Sequence, residues 1–127
     1  AIDSVIQSFE YAKKHDSDID CYLIVRNDGS KDNSRAEVLK KVNQYKNVFL
    51  FDNEKNVGIL KTRRNLFLDA YDFVNKNKIK NEENIFLSFL DSDDLCMPTR
   101  VLRQLNEMMS DPTLTACGGQ VLLFSDT

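Results

Sequence analysis

A chain of 127 residues with a 42% hydrophobic fraction and a net charge of −3, from 17 basic and 20 acidic residues, is sized for one domain with a packed interior and sets up no basic field of the kind nucleic acid recruits. No apolar run approaches the roughly 20 residues of a membrane span, and no secretory leader opens the sequence, so any membrane attachment lies outside these residues. The three cysteines, Cys21, Cys96 and Cys117, form no C-x-x-C pair and read as reduced, structural thiols of a cytoplasmic protein.

Ile2, Val5, Ile6 and Phe9 recur at helical spacing, which predicts an amphipathic helix ending near Lys14. Cys21 to Val25 is β-branched and aromatic-rich and predicts a buried strand; a helix from about Arg35 follows, with Val38, Leu39, Val42 and Tyr45 on one face. Asn47 to Phe51 predicts the next strand and Asp52 to Gly58 a polar loop. A longer helix then buries Ile59, Thr62, Leu66, Ala70 and Phe73. Asn75 to Asn84 is polar apart from Ile79 and reads as a mobile surface connection, with short Lys-rich stretches as solvated surface.

Ile85 to Leu90 predicts a further strand. Pro98 suits the first turn of a helix burying Val101, Leu102, Leu105, Met108 and Met109 as ordinary core, and Asp111-Pro112 ends it. Leu114 to Phe124 predicts a last strand bent at Gly118-Gly119. Alternating helices and buried strands imply βαβ units and a mainly parallel sheet covered on both faces. Opening on a helix implies that a strand precedes Ala1 in the full fold.

Two turns carry acidic residues at predicted strand ends. Asp91-Ser92-Asp93-Asp94 follows the apolar run Ile85 to Leu90, and Arg26-Asn27-Asp28-Gly29-Ser30 follows Cys21 to Val25. Carboxylates at the carboxyl edge of a parallel sheet lie where such sheets bind ligands. Clustered carboxylates repel unless a cation lies between them, and a divalent metal holding a phosphate-bearing substrate meets that need. The alternative for Asp91 to Asp94 is that they cap the following helix, and for Asn27-Asp28-Gly29 that it is an ordinary strand-to-helix turn. If both turns serve one site, Asp28, Asp91 and Asp93 surround one crevice. Cys96 is near the acidic turn but has no His to activate it, and the single His15 offers neither a metal cluster nor a triad.

Taken with the helix segment Asn56-Val57-Gly58-Ile59-Leu60-Lys61-Thr62-Arg63-Arg64-Asn65, these turns resemble, in order, the D-D-G-S-x-D-x-S, N-x-G-x-x-x-A-R-N and F-L-D-S-D-D motifs of family 2 glycosyltransferases. The resemblance spans nearly the whole chain. It implies a Rossmann-like α/β fold of GT-A type over residues 1–127, lacking its first strand and its acceptor half. It also implies metal-dependent, inverting transfer of a sugar from a nucleotide-diphosphate sugar, most simply a UDP-sugar, to a hydroxyl of a glycan, lipid or protein. Asp91 and Asp93 fall on the family's D-x-D, which implies Mn²⁺ or Mg²⁺ on Asp93 and a ribose or outer-sphere role for Asp91. Asp28 falls in the base-recognition turn, where a carboxylate can accept a uracil-type N–H.

Two departures stand out. Asn27 replaces the first Asp of D-D-G-S, leaving the choice of base open, because Asn both donates and accepts. The ungapped match puts Arg63 on the family's Arg, whereas the Arg-Asn pair is Arg64-Asn65. Helical spacing sets Arg63 at the margin of the buried face, facing the nucleotide, with Arg64 and Asn65 diverging from it. The family's general base is expected beyond residue 127, so the resemblance implies a donor-binding portion inactive alone. A nucleotidyltransferase and a non-catalytic scaffold of the same fold are the competing readings, the scaffold being favoured if Asp91 and Asp93 are buried in helix caps.

Overall fold

The computed structural model describes residues 1–79 and 84–123. Its elements in order are α1 (Ile2–His15), β1 (Leu23–Asn27), α2 (Ser34–Gln44), β2 (Val48–Asp52), α3 (Ile59–Lys76) and α4 (Arg100–Ser110). They divide between two compact units, one formed by Asp20–Glu83 and the other by Ala1–Ile19 with Asn84–Thr127. No helix among the described residues is long and apolar enough to cross a membrane.

In the unit Asp20–Glu83, β1 and β2 pair in parallel, from Leu23 opposite Val48 to Asn27 opposite Asp52. The pleat sorts their side chains between two helices. Phe49 and Tyr22 meet Phe73 of α3, with ring centroids 4.8 and 5.1 Å apart, and Arg26 meets Asp69 of α3. On the opposite parity, Asp52 meets Arg35 of α2, and Val48 is almost fully buried. Helices therefore cover both faces of a parallel sheet, as the alternation of elements predicted. Val38, Leu39, Val42 and Tyr45 are the half-buried positions expected of α2 and its C-cap.

Strand β1 lies two residues later than its apolar run suggested. Polar Arg26 and Asn27 continue it because their side chains are paired, on Asp69 and Asp52, and because the Asn53 N–H extends the ladder to the Asn27 carbonyl at 2.9 Å. Ile59, predicted buried, is exposed at the first position of α3, whereas Thr62, Leu66, Ala70 and Phe73 are half-buried as expected. The predicted connection Asn75 to Asn84 is shorter at its start, since α3 runs to Lys76; residues 80–83 lie outside the described residues.

In the other unit α1 packs on α4. Ile6, Ser8 and Ala12 are buried along α1, with Ile2, Val5 and Phe9 half-buried beside them. Two serines one turn apart do what the apolar pattern could not reveal. Ser4 Oγ accepts the Cys96 N–H at 2.9 Å, and Ser8 Oγ accepts the Val101 N–H at 3.1 Å, satisfying a donor in the first turn of α4 that has no partner within its own helix.

The predicted strands Ile85 to Leu90 and Leu114 to Phe124 are not strands over their described residues. Apolar content supplies a strand's side chains, but a strand exists only where its backbone finds a ladder. Here the Phe89 carbonyl accepts Arg100 Nη2 at 2.9 Å instead, and Leu122 and Leu123 are exposed. Phe124 lies outside the described residues. Cys117, placed in that strand by its sequence, is a half-buried free thiol outside any strand, and Cys96 is a buried free thiol between exposed Leu95 and Met97.

Candidate functional site

The carboxyl edge of the two-stranded sheet is built from two interlocked turns, the one after β1 and the one after β2. Asp28 immediately follows β1. Its Oδ1 accepts the Val57 N–H and the Asn53 side-chain amide, both at 2.8 Å, and its Oδ2 accepts the Gly58 N–H at 3.1 Å. Val57 and Gly58 lead directly into α3, so the carboxylate sits on donors at the positive end of a helix. The Val57 N–H, and after it the Asn53 amide, hold the Asp28 carboxyl below its ordinary value of 3.8, with Thr62 contributing as well. Asp28 is therefore ionised and strongly tethered at neutral pH.

Glycine is required at both ends of this clasp. Gly29 adopts φ +66°, and a Cβ there would lie 2.6 Å from the Asn56 nitrogen and 2.8 Å from the Lys55 carbonyl carbon. Gly58 adopts φ 85°, ψ 160°, a region that only glycine enters readily, although the space around it is open.

Asn53 lies at the centre of the clasp, inside what the sequence showed only as a polar loop. Its Nδ2 donates to Asp28 and to Thr62 Oγ1 (3.0 Å); its Oδ1 accepts from Arg26 Nη1 (2.9 Å) and Asn65 Nδ2 (3.3 Å). Arg26 in turn grips Asp69 through Nε (2.7 Å) and Nη2 (3.0 Å). Asn65, expected to diverge from the buried face of α3, instead joins Thr62 and Asp69 on it, because those three positions are spaced three and four residues apart. Arg63 and Arg64 are both exposed on α3.

A second pairing surrounds Asn27. Its side-chain amide donates to Asp52 Oδ1 at 2.9 Å, while its Oδ1 accepts the Ser30 N–H at 3.1 Å. Asp52 also receives a fork from Arg35, Nε at 3.0 and 3.1 Å and Nη2 at 2.9 Å. The Arg35 bonds, followed by the Asn27 bond, lower the Asp52 pKa. The departure at position 27 thus has a local electrostatic reason: a carboxylate there would lie against Asp52, whereas an amide donates to it.

Asp91 and Asp93 belong to the other unit. The Asp94 N–H closes a tight turn on the Asp91 carbonyl at 3.1 Å, and Asp91 to Asp94 are all exposed. They cap no helix: α4 begins at Arg100, with Thr99 at its N-cap and Pro98 just before it, so the capping alternative for this turn does not hold. As a donor set, two exposed carboxylates suit a hard divalent cation that draws its remaining oxygens from a diphosphate and water. Among the described residues no group of three or more His, Cys, Asp or Glu gathers into an all-protein metal cage.

Compared with known families, the chain matches the model described as Glycosyl transferase family 2 over residues 1–127, its whole length. No curated protein and no solved structure matches it.

Proposed function

The chain belongs to glycosyl transferase family 2, and on that premise we propose that it forms the donor-binding portion of an enzyme that passes a sugar from a nucleotide-diphosphate sugar to an acceptor hydroxyl. The observation that carries this reading is the clasp of Asp28 on Asn53, Val57 and Gly58, which freezes the turns after β1 and β2 at the sheet edge where open α/β sheets bind nucleotides. Rigid loops lose little entropy on binding, so a nucleoside meets a preformed surface.

In this reading Asp28 accepts a base N–H at Oδ2, the oxygen holding the longer of its bonds, and Asn27 lies beside it. A UDP-sugar is the donor that suits an acceptor carboxylate at that position. Arg63, exposed on α3, reaches the base or the phosphates. Asp93 holds Mn²⁺ or Mg²⁺, and Asp91 supports the ribose or the water around the metal. Such a cation neutralises the charge that builds on the departing diphosphate. Transfer with inversion, a general base outside these residues and an acceptor glycan, lipid or protein complete the proposal. It also places the protein in the cytoplasm or on the cytoplasmic face of a membrane.

Asp91 and Asp93 are exposed in a turn rather than buried in a helix cap, which favours a working site over a scaffold. Thermal melting with a panel of nucleoside diphosphates, with and without Mn²⁺, tests the proposal. A UDP-selective rise in Tm that grows with Mn²⁺ supports it, and no rise with any nucleotide sinks it.

A further inference from the structure

We infer that Asn53 is a positioning residue for the donor nucleoside: its amide holds the Asp28 carboxylate in the orientation in which that carboxylate meets the base. The inference rests on the donor-site reading above. It goes further by assigning the orientation of Asp28 to a side chain on the other strand's loop.

The geometry separates two jobs within one amide. The Oδ1 side is structural, accepting from Arg26 on β1 and Asn65 on α3. The Nδ2 side faces the candidate site, donating to Asp28 at 2.8 Å and Thr62 at 3.0 Å. An amide whose oxygen is claimed by a guanidinium cannot flip, so the Nδ2 end is fixed toward Asp28. The charged groups around Asn53 are Arg26, Asp28 and, through Arg26, Asp69. Arg26 thereby reports the placement of β1 and α3 to Asp28 without touching it. The backbone donors Val57 and Gly58 restrain Asp28 from the α3 side only, and Asn53 supplies the restraint from the β2 side.

Asn53→Asp divides the two jobs. It keeps an acceptor for Arg26 and Asn65 but replaces the donor facing Asp28 with a second carboxylate, so residue 53 stays anchored to β1 and α3 while Asp28 is pushed out of place. Three quantities are read: Tm, the ¹³C titration of the Asp28 carboxyl without nucleotide, and UDP affinity by calorimetry. The expected result is a Tm lowered no further than that of Asp28→Asn, an Asp28 titration moved upward, and UDP binding weaker by about tenfold or more at neutral pH, the scale of one lost charge-assisted hydrogen bond. An Asp28 titration and a UDP affinity both unchanged in Asn53→Asp overturn the inference.

Should that variant unfold, the unaltered protein supplies the same test. The Asn53 side-chain amide resonances follow the Asp28 titration midpoint and shift when UDP saturates the site; amide resonances indifferent to bound UDP overturn the inference. Failure of the wild-type protein to bind UDP, with the Asn53–Asp28 titration coupling intact, is a different outcome: it removes the donor-site reading and leaves Asn53 a strut of the fold.

Discussion

Arg26 on β1 and Asp69 on α3, 43 residues apart in sequence, meet through two parallel hydrogen bonds of 2.7 and 3.0 Å with side chains only 14% and 13% exposed. A planar guanidinium matches a carboxylate in this way and an ammonium does not. The pair fixes α3 on the sheet and, through Arg26 Nη1, anchors Asn53.

Removing Asp69 leaves the largely desolvated Arg26 without its counter-charge and without partners for Nε and Nη2, although Nη1 keeps Asn53. Asp69→Ala is expected to destabilise the protein by about 1.5–3 kcal/mol in urea unfolding, the scale of a hydrogen bond to a charged group. Arg26→Lys is expected to recover less than half of a matched Arg26→Ala loss, because lysine lacks the fork. A full recovery would show that charge alone matters there.

The two glycines of the clasp separate backbone strain from steric clash. Gly58→Ala meets open space and carries only the strain of its dihedrals, roughly 1–3 kcal/mol. Gly29→Ala adds a clash with backbone atoms of Lys55 and Asn56 and is expected to cost more. Equal losses in denaturant midpoint would mean that the two turns do not press together in solution.

Acid is expected to loosen the clasp. The Asp28 and Asp52 carboxyls are both held below 3.8 in the folded chain, Asp28 first by the Val57 N–H and Asp52 first by Arg35. A depressed folded pKa gives stability that is fully present above the unfolded value and is lost as pH falls through the folded one. Urea midpoints are therefore expected to be level near neutrality and to drop below about pH 4. Asp28→Asn is expected to be less stable at neutral pH and to show a shallower acid decline; an unchanged slope would remove Asp28 from the linkage.

Metal and nucleotide are expected to bind cooperatively. Two exposed carboxylates hold a divalent cation weakly until a diphosphate adds oxygens, so each ligand tightens the other. Calorimetric titration with UDP, with and without Mn²⁺, is expected to lose this coupling in Asp93→Ala while Tm stays near the wild-type value, since Asp93 is exposed. Equal UDP affinity in both conditions for the wild-type protein would end the metal role.

The neighbouring arginines of α3 separate by direction. One residue of helix turns a side chain by about 100°, so Arg63 and Arg64 cannot enter the same narrow crevice. Arg63→Ala is expected to weaken donor binding by about 1.5–3 kcal/mol and Arg64→Ala to change it little. The reverse order in a binding assay would show the motif displaced by one residue.

By itself the sequence determined the class of fold, the order of its helices and first two strands, and the family, because apolar periodicity and three spaced motifs are local properties of a chain. The face of α2 and the half-buried stripe from Thr62 to Phe73 follow from period alone. Only the tertiary structure decided that Asn53 would be the hub of the clasp, that Asn27 would answer Asp52, and that Ser4 and Ser8 would serve backbone donors near and within the start of α4. It also denied a ladder to Ile85–Leu90 and to the described part of Leu114–Phe124. The physical reason is common to these cases: a polar side chain or a strand edge is satisfied by a partner tens of residues away, and hydrophobic period contains no information about which donor meets which acceptor.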